Sequence, residues 1–181
     1  AEKVAVKLSN YFVLKGYCVS LVSVHPIHYL KNSLSNKINF VQLETKHTKY
    51  SILKMRRQVL KFKPNKILSV SREVNILMAF STLLMPKKPD IYFRVEAPLT
   101  NMTKSLTLKN IVHFFFLNIT YPFAKKVIPN SKYTLDTLRK YYFFGKNYDN
   151  YIGNPVYLEE KIKSDTLIKN IKKNKIILNI A

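Results

Sequence analysis

The fold is decided by residues 128–138, IPNSKYTLDTL, which are followed at residues 151–156 by YIGNPV. The apolar start of the first segment predicts a strand that ends in a polar turn. Ser131 is a favourable residue to begin the next helix, because its hydroxyl can accept from free backbone N–H groups. The chain then returns to a second predicted strand, which stops at an Asn-Pro break. Such a unit directs its helix N-terminus toward the edge where open α/β sheets bind ligands, and helix N-termini favour anions.

The rest of the chain repeats this alternation of helices and strands. Apolar residues recur at helical spacing in some segments and form short runs in others, with Gly16 and Pro64 as stops. Predicted helices cover about residues 4–12, 50–62, 74–84, 106–123 and 131–142, and predicted strands cover residues 19–24, 38–43, 67–70, 91–95, 126–128, 148–152 and 175–180. Strands separated by helices pair in parallel through right-handed crossovers. The sequence therefore predicts an α/β fold with a doubly wound, mostly parallel sheet.

Several segments, taken in order, carry a resemblance to a known family. They are a helix at residues 1–11, a helix stop and strand at 15–23, the segments 75–77 and 94–102 (RVEAPLTNM), and the segment that begins at residue 128. Together they resemble the acceptor-side domain of family 4 glycosyltransferases, retaining sugar transferases built from two Rossmann-like halves in the GT-B fold. The resemblance covers nearly the whole chain.

The resemblance implies a division of the chain into three parts. Residues 1–156 are expected to form the Rossmann-like N-terminal domain, without the first strand and the glycine pair that begin it in the family. Residues 157–174 are expected to be a linker, and residues 175–181 the first strand of a truncated second domain. The family binds its nucleotide-sugar donor mainly through that second domain.

Arg94 and Glu96 are the candidate catalytic residues. Both lie at the carboxyl end of a predicted central strand, and side chains two positions apart project to the same side. A surface ion pair at the strand exit is the alternative interpretation. The resemblance further implies substrate-binding roles for residues in its matching segments, which are Asn75, Ser131, Lys132 and Asn154.

The function implied by the resemblance is that of an acceptor-binding half. The complete enzyme would move a sugar from a nucleotide-diphosphate donor to a glycan or lipid-linked acceptor in surface polysaccharide synthesis, at the inner face of the cytoplasmic membrane. No cofactor is implied. No metal site is predicted either, because His25 and His28 lack a third ligand in the sequence around them.

The chain is strongly basic, with 31 Lys and Arg residues against 10 Asp and Glu, a formal net charge of +21. Codon bias, an anionic membrane surface and nucleic acid are three explanations for this excess. A basic nucleic-acid-binding α/β module is therefore the alternative function, since 12 tyrosines and 11 phenylalanines could stack on bases. Nucleic acid is the less favoured partner because most of these aromatics fall on apolar faces.

Two further features have a structural and a functional interpretation. The apolar run at residues 111–119 is too short to span a bilayer, which takes about 20 residues, so it predicts either a core helix or an interfacial helix flanked by lysines.

Cys18 is the single cysteine and lies in an apolar predicted strand, so it is expected to be a buried structural thiol.

Overall fold

The computed structural model describes residues 2–26, 28–45, 48–100, 107–143, 148, 150–154 and 172–180. The helices are α1 (Glu2–Leu14), α2 (Ile52–Phe62), α3 (Arg72–Thr82), α4 (Leu108–Thr120) and α5 (Lys132–Tyr141). The strands are β1 (Tyr17–Ser23), β2 (Asn39–Gln42), β3 (Lys66–Val70), β4 (Asp90–Val95), β5 (Lys126–Pro129) and β6 (Lys172–Ile180). Short 3-10 segments lie at His28–Ser33, Thr48–Ser51 and Tyr121–Phe123.

The six strands form one sheet in the order β2-β1-β6-β3-β4-β5, and every neighbouring pair is parallel. The predicted α/β fold with a doubly wound, Rossmann-like parallel sheet is confirmed. It follows from the alternation of helices and strands, because a parallel strand pair needs a crossover long enough to return the chain to the same end of the sheet.

Two apolar clusters cover the two faces of the sheet. One holds buried side chains of α2, α3 and α4, such as Met55, Met78 and Leu117. The other holds buried side chains of α1, including Ala5 and Val13. The helices therefore lie on both faces of the sheet, as a doubly wound topology requires.

The last strand differs from the prediction. β6 lies in the middle of the sheet, where Ile177 pairs with Ser20 of β1 on one side and with Ile67 of β3 on the other. Ile177 enters one apolar cluster, and Ile176 and Leu178 enter the other. A strand that is apolar on both faces is stable between two neighbours, so residues 172–180 form a central strand of this sheet.

The expected linker and domain boundary can be compared with the structure only in part. The boundary after residue 156 and residues 157–171 of the linker lie outside the described residues. Residues 172–174, also assigned to the linker, belong to β6.

Two smaller predictions are wrong. The predicted strand at residues 148–152 forms only a bridge between Tyr148 and Val127 and a 2.9 Å bond from the Ile152 N–H to the Pro129 carbonyl, within the part of the chain that is described. Cys18 lies at a register shift near the start of β1 and is exposed, so the expected burial of its thiol does not occur.

Among the described residues, no helix has the length and apolar character to cross a bilayer.

Candidate functional site

Three neighbouring strands end at the same level of the sheet. Val70 of β3 pairs with Arg94 of β4, and Arg94 pairs in turn with Ile128 of β5. Neighbouring strands are about 4.8 Å apart, so the residues that follow these strands lie side by side. Ligands of open α/β sheets bind at this carboxyl edge. We define the carboxyl-edge cluster as Ser71, Arg72, Arg94, Glu96 and Asn130.

Arg94 is the buried centre of this cluster, with 4% of its surface exposed. Its Nη2 donates to the carbonyl oxygens of Ile152 and Gly153, each at 3.2 Å, and to Asn154 Oδ1 at 2.8 Å. The guanidinium therefore holds residues 152–154 against the end of β4. Asn154 was predicted to bind substrate, and it is indeed exposed, but its amide oxygen already accepts from Arg94.

Arg94 also faces Glu96, as the two-residue spacing predicts. Arg94 Nε lies 3.8 Å from Glu96 Oε1, and the Glu96 side chain is 18% exposed. Burial lowers the pKa of Arg94, and the charge of Glu96 partly opposes that shift. The pair is therefore mostly buried, unlike the surface ion pair considered as the alternative from the sequence. Of its two members, the Glu96 side chain is the more exposed to solvent.

Asn75 lies inside α3 and is fully buried. Its Nδ2 donates to the Arg94 carbonyl oxygen at 3.1 Å and to the Tyr121 hydroxyl at 3.3 Å. Its Oδ1 is buried without a hydrogen-bond partner among the described residues. Asn75 lies within a helix, as the predicted helix at residues 74–84 requires, but this residue, expected to bind substrate, is turned inward among the apolar positions that α3 packs against the sheet. It supports β4 from behind the edge.

Tyr121 completes this internal support. It follows α4, is fully buried, and its ring centroid lies 5.4 Å from that of Phe93. Burial raises the pKa of Tyr121 to about 12, against a smaller opposite effect of the hydrogen bond from Asn75. The neutral hydroxyl is therefore the form that the folded protein holds over the physiological pH range.

Ser131 begins α5 as predicted. Its Oγ accepts from the Thr134 N–H at 3.2 Å and contacts the Thr134 hydroxyl at 3.0 Å. The hydroxyl of Ser131 is therefore engaged in capping the helix. Lys132, the first residue of α5, is exposed. At this edge the Ser131 hydroxyl is therefore bound within the helix cap, whereas the exposed Lys132 ammonium can contact a ligand.

Asn130 joins β5 to β4 at the edge and was not singled out from the sequence. Its Nδ2 donates to the Glu96 carbonyl oxygen at 3.0 Å, and its Oδ1 accepts from the Thr134 hydroxyl at 2.9 Å. The backbone N–H of Asn130 donates to the Val95 carbonyl oxygen at 3.0 Å. An asparagine between a strand end and a helix-capping serine was the available signal, because its amide can bond both segments.

Ser71 and Arg72 are the other residues that sequence reasoning missed. Ser71 has φ 102° and ψ 153°, a conformation that is essentially confined to glycine. Ser71 Oγ and Arg72 Nη1 are buried without hydrogen-bond partners among the described residues. Arg72 is the first residue of α3, whose N-terminus carries partial positive charge. Arg72 and this helix end therefore supply positive charge at the edge, while Glu73 in the same helical turn carries the opposite charge.

The chemistry available at this edge is recognition of a polar, anionic or hydroxyl-bearing ligand. Guanidinium groups bind phosphate and carboxylate oxygens, and a carboxylate accepts from hydroxyl groups. The described residues contain no group of three or more metal-ligating side chains. A cavity of about 500 Å³ lined by Lys63, Lys87 and Lys88 lies at the opposite, amino edge of the strands and takes no part in this cluster.

Comparisons with protein-family models, with curated proteins and with solved structures give no match for this chain.

Proposed function

We propose that this chain is the acceptor-side half of a retaining glycosyltransferase. Such an enzyme moves a sugar from a nucleotide-diphosphate donor to a glycan or lipid-linked acceptor, here in surface polysaccharide synthesis. Support comes from the sequence resemblance, from the doubly wound parallel sheet, and from the polar cluster at its carboxyl edge. The observation that carries the proposal is the oriented Arg94–Glu96 pair at that edge.

Glu96 is the residue proposed to contact the sugar. Its side chain is partly exposed, while Arg94 and the backbone contact from Asn130 fix its position. A carboxylate held in this way accepts from sugar hydroxyls without first losing side-chain freedom, which strengthens binding. Arg94 is a positioning residue, because its Nη2 is committed to residues 152–154.

The donor diphosphate is proposed to approach from the side of Arg72. The N-terminus of α3 and the guanidinium of Arg72 supply positive charge there, and Lys132 at the start of α5 adds a further exposed cation. In the resembled family most donor contacts come from a second domain. We therefore expect this chain alone to bind a nucleotide sugar weakly.

The alternative function, a basic nucleic-acid-binding module, has the net charge of +21 in its favour. Several aromatic residues are unavailable for stacking on bases, because Phe93, Tyr121 and Tyr142 are buried in the core. The titration described next includes oligothymidylate and therefore also tests this alternative.

The test is an NMR titration of the amide signals of the purified chain with octyl glucoside below its critical micelle concentration, UDP-glucose, GDP-mannose and oligothymidylate. We expect the glycoside and the nucleotide sugars to shift signals at residues 71–72, 94–96 and 130–132. Glu96→Gln should weaken glycoside binding by about tenfold, because a charged acceptor is replaced by a neutral one. Asp136→Asn removes an exposed carboxylate elsewhere and is the matched control.

Two results would contradict the proposal. One is the absence of shifts at the carboxyl edge with every glycoside and nucleotide sugar. The other is salt-sensitive binding of oligothymidylate as the sole interaction, which would support the nucleic-acid module instead.

A further inference from the structure

Helix α4 has its apolar side chains on the outside. Phe115 is 60% exposed, whereas Leu117, on the opposite side of the helix, is fully buried. The buried face of α4 also contains two polar residues, Asn118 and Thr120. The exposed apolar residues of α4, which we call the α4 stripe, are Leu108, Ile111, Val112, Phe115, Phe116 and Ile119.

The spacing of the α4 stripe makes it one continuous surface. Its members recur at intervals of one, three and four residues, which at about 100° per residue places them within an arc of about 140°. Leu117 lies at about 180° from Leu108 in the same projection. Soluble proteins usually turn the polar face of such a helix outward, and a contiguous apolar surface marks an interaction site.

Hydrogen bonds on the inner side fix this orientation. Asn118 Nδ2 donates to the Tyr141 carbonyl oxygen at 3.3 Å, and Asn118 Oδ1 accepts from the Phe143 N–H at 2.8 Å. Rotating α4 to bury the stripe would break these bonds and leave buried polar groups without partners, which is costly. The exposed stripe is therefore the outcome of a specific inner packing.

Neighbouring apolar side chains enlarge the surface. Phe116 meets Phe80 of α3 with ring centroids 5.7 Å apart, so α3 and α4 lie next to each other. Leu83 and Leu84, just beyond α3, are exposed, as is Phe123 just beyond α4. Since both helices run in the same direction along the sheet, these residues lie at the same end as Ile119.

The charges around the stripe select its partner. The sequence has no Asp or Glu between residues 97 and 135, a stretch that includes all of α4. Lys109 lies in the helix, and Lys125 and Lys126 follow it, with the Lys125 ammonium paired with Asp90 at 2.8 Å. A second copy of a chain with net charge +21 would be repelled, whereas an anionic surface would be attracted.

We infer that the α4 stripe binds the surface of an anionic lipid bilayer. With 13 residues, α4 is about 20 Å long, which is shorter than the roughly 30 Å hydrocarbon core. It lies in the plane of the membrane with Phe115 and its apolar neighbours inserted between head groups and the exposed Lys109 beside the lipid phosphates. This surface is independent of the carboxyl-edge cluster and of the proposed glycosyl transfer.

The test uses a fluorescent reporter, because the chain contains no tryptophan. Phe115→Trp is expected to shift its emission to the blue when vesicles of phosphatidylcholine and phosphatidylglycerol are added, and to be quenched by brominated lipids. Leu53→Trp is the matched control, because Leu53 is 69% exposed on α2 and lies outside the stripe. Its emission should stay unchanged.

Co-sedimentation with the same vesicles measures affinity. Binding of the unaltered chain should fall as salt is added and be much weaker for pure phosphatidylcholine vesicles. Ile111→Ser with Phe115→Ser should weaken it about tenfold or more, while Leu53→Ser does not. Thermal melts should be unchanged, because both stripe residues are exposed.

Three outcomes would overturn the inference. The Phe115→Trp emission fails to shift with anionic vesicles, the double variant binds vesicles as well as the unaltered chain, or the unaltered chain forms a dimer that the double variant abolishes. The last result would assign the stripe to a second copy. Failure of the titration with sugars would leave these vesicle measurements unaffected, so the two proposals are tested separately.

Discussion

Arg94 donates from Nη2 to the amide oxygen of Asn154 at 2.8 Å, and so ties the end of a central strand to a segment 60 residues later in the chain. The same nitrogen serves two further carbonyl oxygens, of Ile152 and Gly153. The residue that seemed a candidate for catalysis thus determines where the following segment lies.

Replacing Arg94 by Lys should therefore act on stability. Lysine keeps the charge but lacks the planar fork, so it cannot reproduce the contacts to residues 152–154 together with the Glu96 pair. We expect the free energy of unfolding to fall by about 1–3 kcal/mol, measured by urea denaturation. Arg139→Lys is the matched control, because Arg139 is exposed and its guanidinium lies 3.6 Å from the exposed carboxylate of Asp136. Its free energy of unfolding should change by no more than about 0.5 kcal/mol. Equal effects in both variants would contradict this account of Arg94.

Asn75→Ala tests the support behind the edge. The change removes the donor to the Arg94 carbonyl oxygen and to the Tyr121 hydroxyl and leaves a small void in a fully buried position. We expect a loss of about 1–3 kcal/mol in the free energy of unfolding. Asn32→Ala changes an exposed asparagine and should have little effect. If Asn75 contacted ligand instead, the variant would lose binding while its urea midpoint stayed the same.

Tyr121 should make the protein sensitive to alkali. Its pKa is raised by burial to about 12, so between the ordinary tyrosine value near 10 and about 12 the unfolded state loses a proton that the folded state keeps. The stabilising contribution is complete below about pH 10 and is lost as pH rises toward 12, by up to about 1.4 kcal/mol per pH unit.

The measurement compares Tyr121→Phe with the unaltered chain by urea denaturation at pH 8 and pH 11. At pH 8 the variant should be less stable by about 1 kcal/mol, because it lacks the hydrogen bond from Asn75. At pH 11 the unaltered chain should have lost more stability than the variant. Parallel losses in the two proteins would show that the hydroxyl of Tyr121 does not titrate in the way its burial requires.

The sequence predicted the fold better than it predicted the cluster. Helical spacing and short apolar runs identified the elements, since these patterns depend on which face of each element is buried. The position of β6 could not be predicted, because the apolar run at residues 176–178 suits either a new domain or the centre of this sheet, and the sequence of a strand does not specify its pairing partners. Glycosyl transfer stays a prediction.

Individual residues at the carboxyl edge show why sites are harder to predict. The Arg94–Glu96 contact is local, so a two-residue spacing was sufficient to predict it. The Arg94–Asn154 bond joins distant segments, and Asn75 is inward because of the rotation of α3, which only packing decides. Ser71 gave no sign of its unusual backbone, because serine is common at helix starts with ordinary dihedral angles.

The cap of α5 gives a prediction that the sequence and the structure share. Ser131→Ala removes the oxygen that accepts from the Thr134 N–H, and should cost about 1 kcal/mol in the free energy of unfolding. Ser131→Asp retains an acceptor and adds a favourable charge at the helix N-terminus, so it should match or exceed the unaltered chain. Urea denaturation of the three proteins provides the ranking, and an alanine variant as stable as the unaltered chain would show that the bond contributes nothing.

Ser71→Gly is expected to stabilise the protein. At φ 102° and ψ 153° a residue with a Cβ carries strain of about 1–3 kcal/mol, and glycine adopts this conformation freely. Glycine also increases the entropy of the unfolded chain, which costs about 0.4–1 kcal/mol, so the net gain should be about 1 kcal/mol. Removing the Ser71 hydroxyl costs no hydrogen bond, because this group is buried without a partner among the described residues.

Ser71→Ala loses the same hydroxyl but keeps the Cβ, so it isolates the backbone contribution and should gain less stability than the glycine variant. Thermal and urea unfolding of both variants decide the matter: equal stabilities for Ala and Gly would mean that the backbone at residue 71 is not strained.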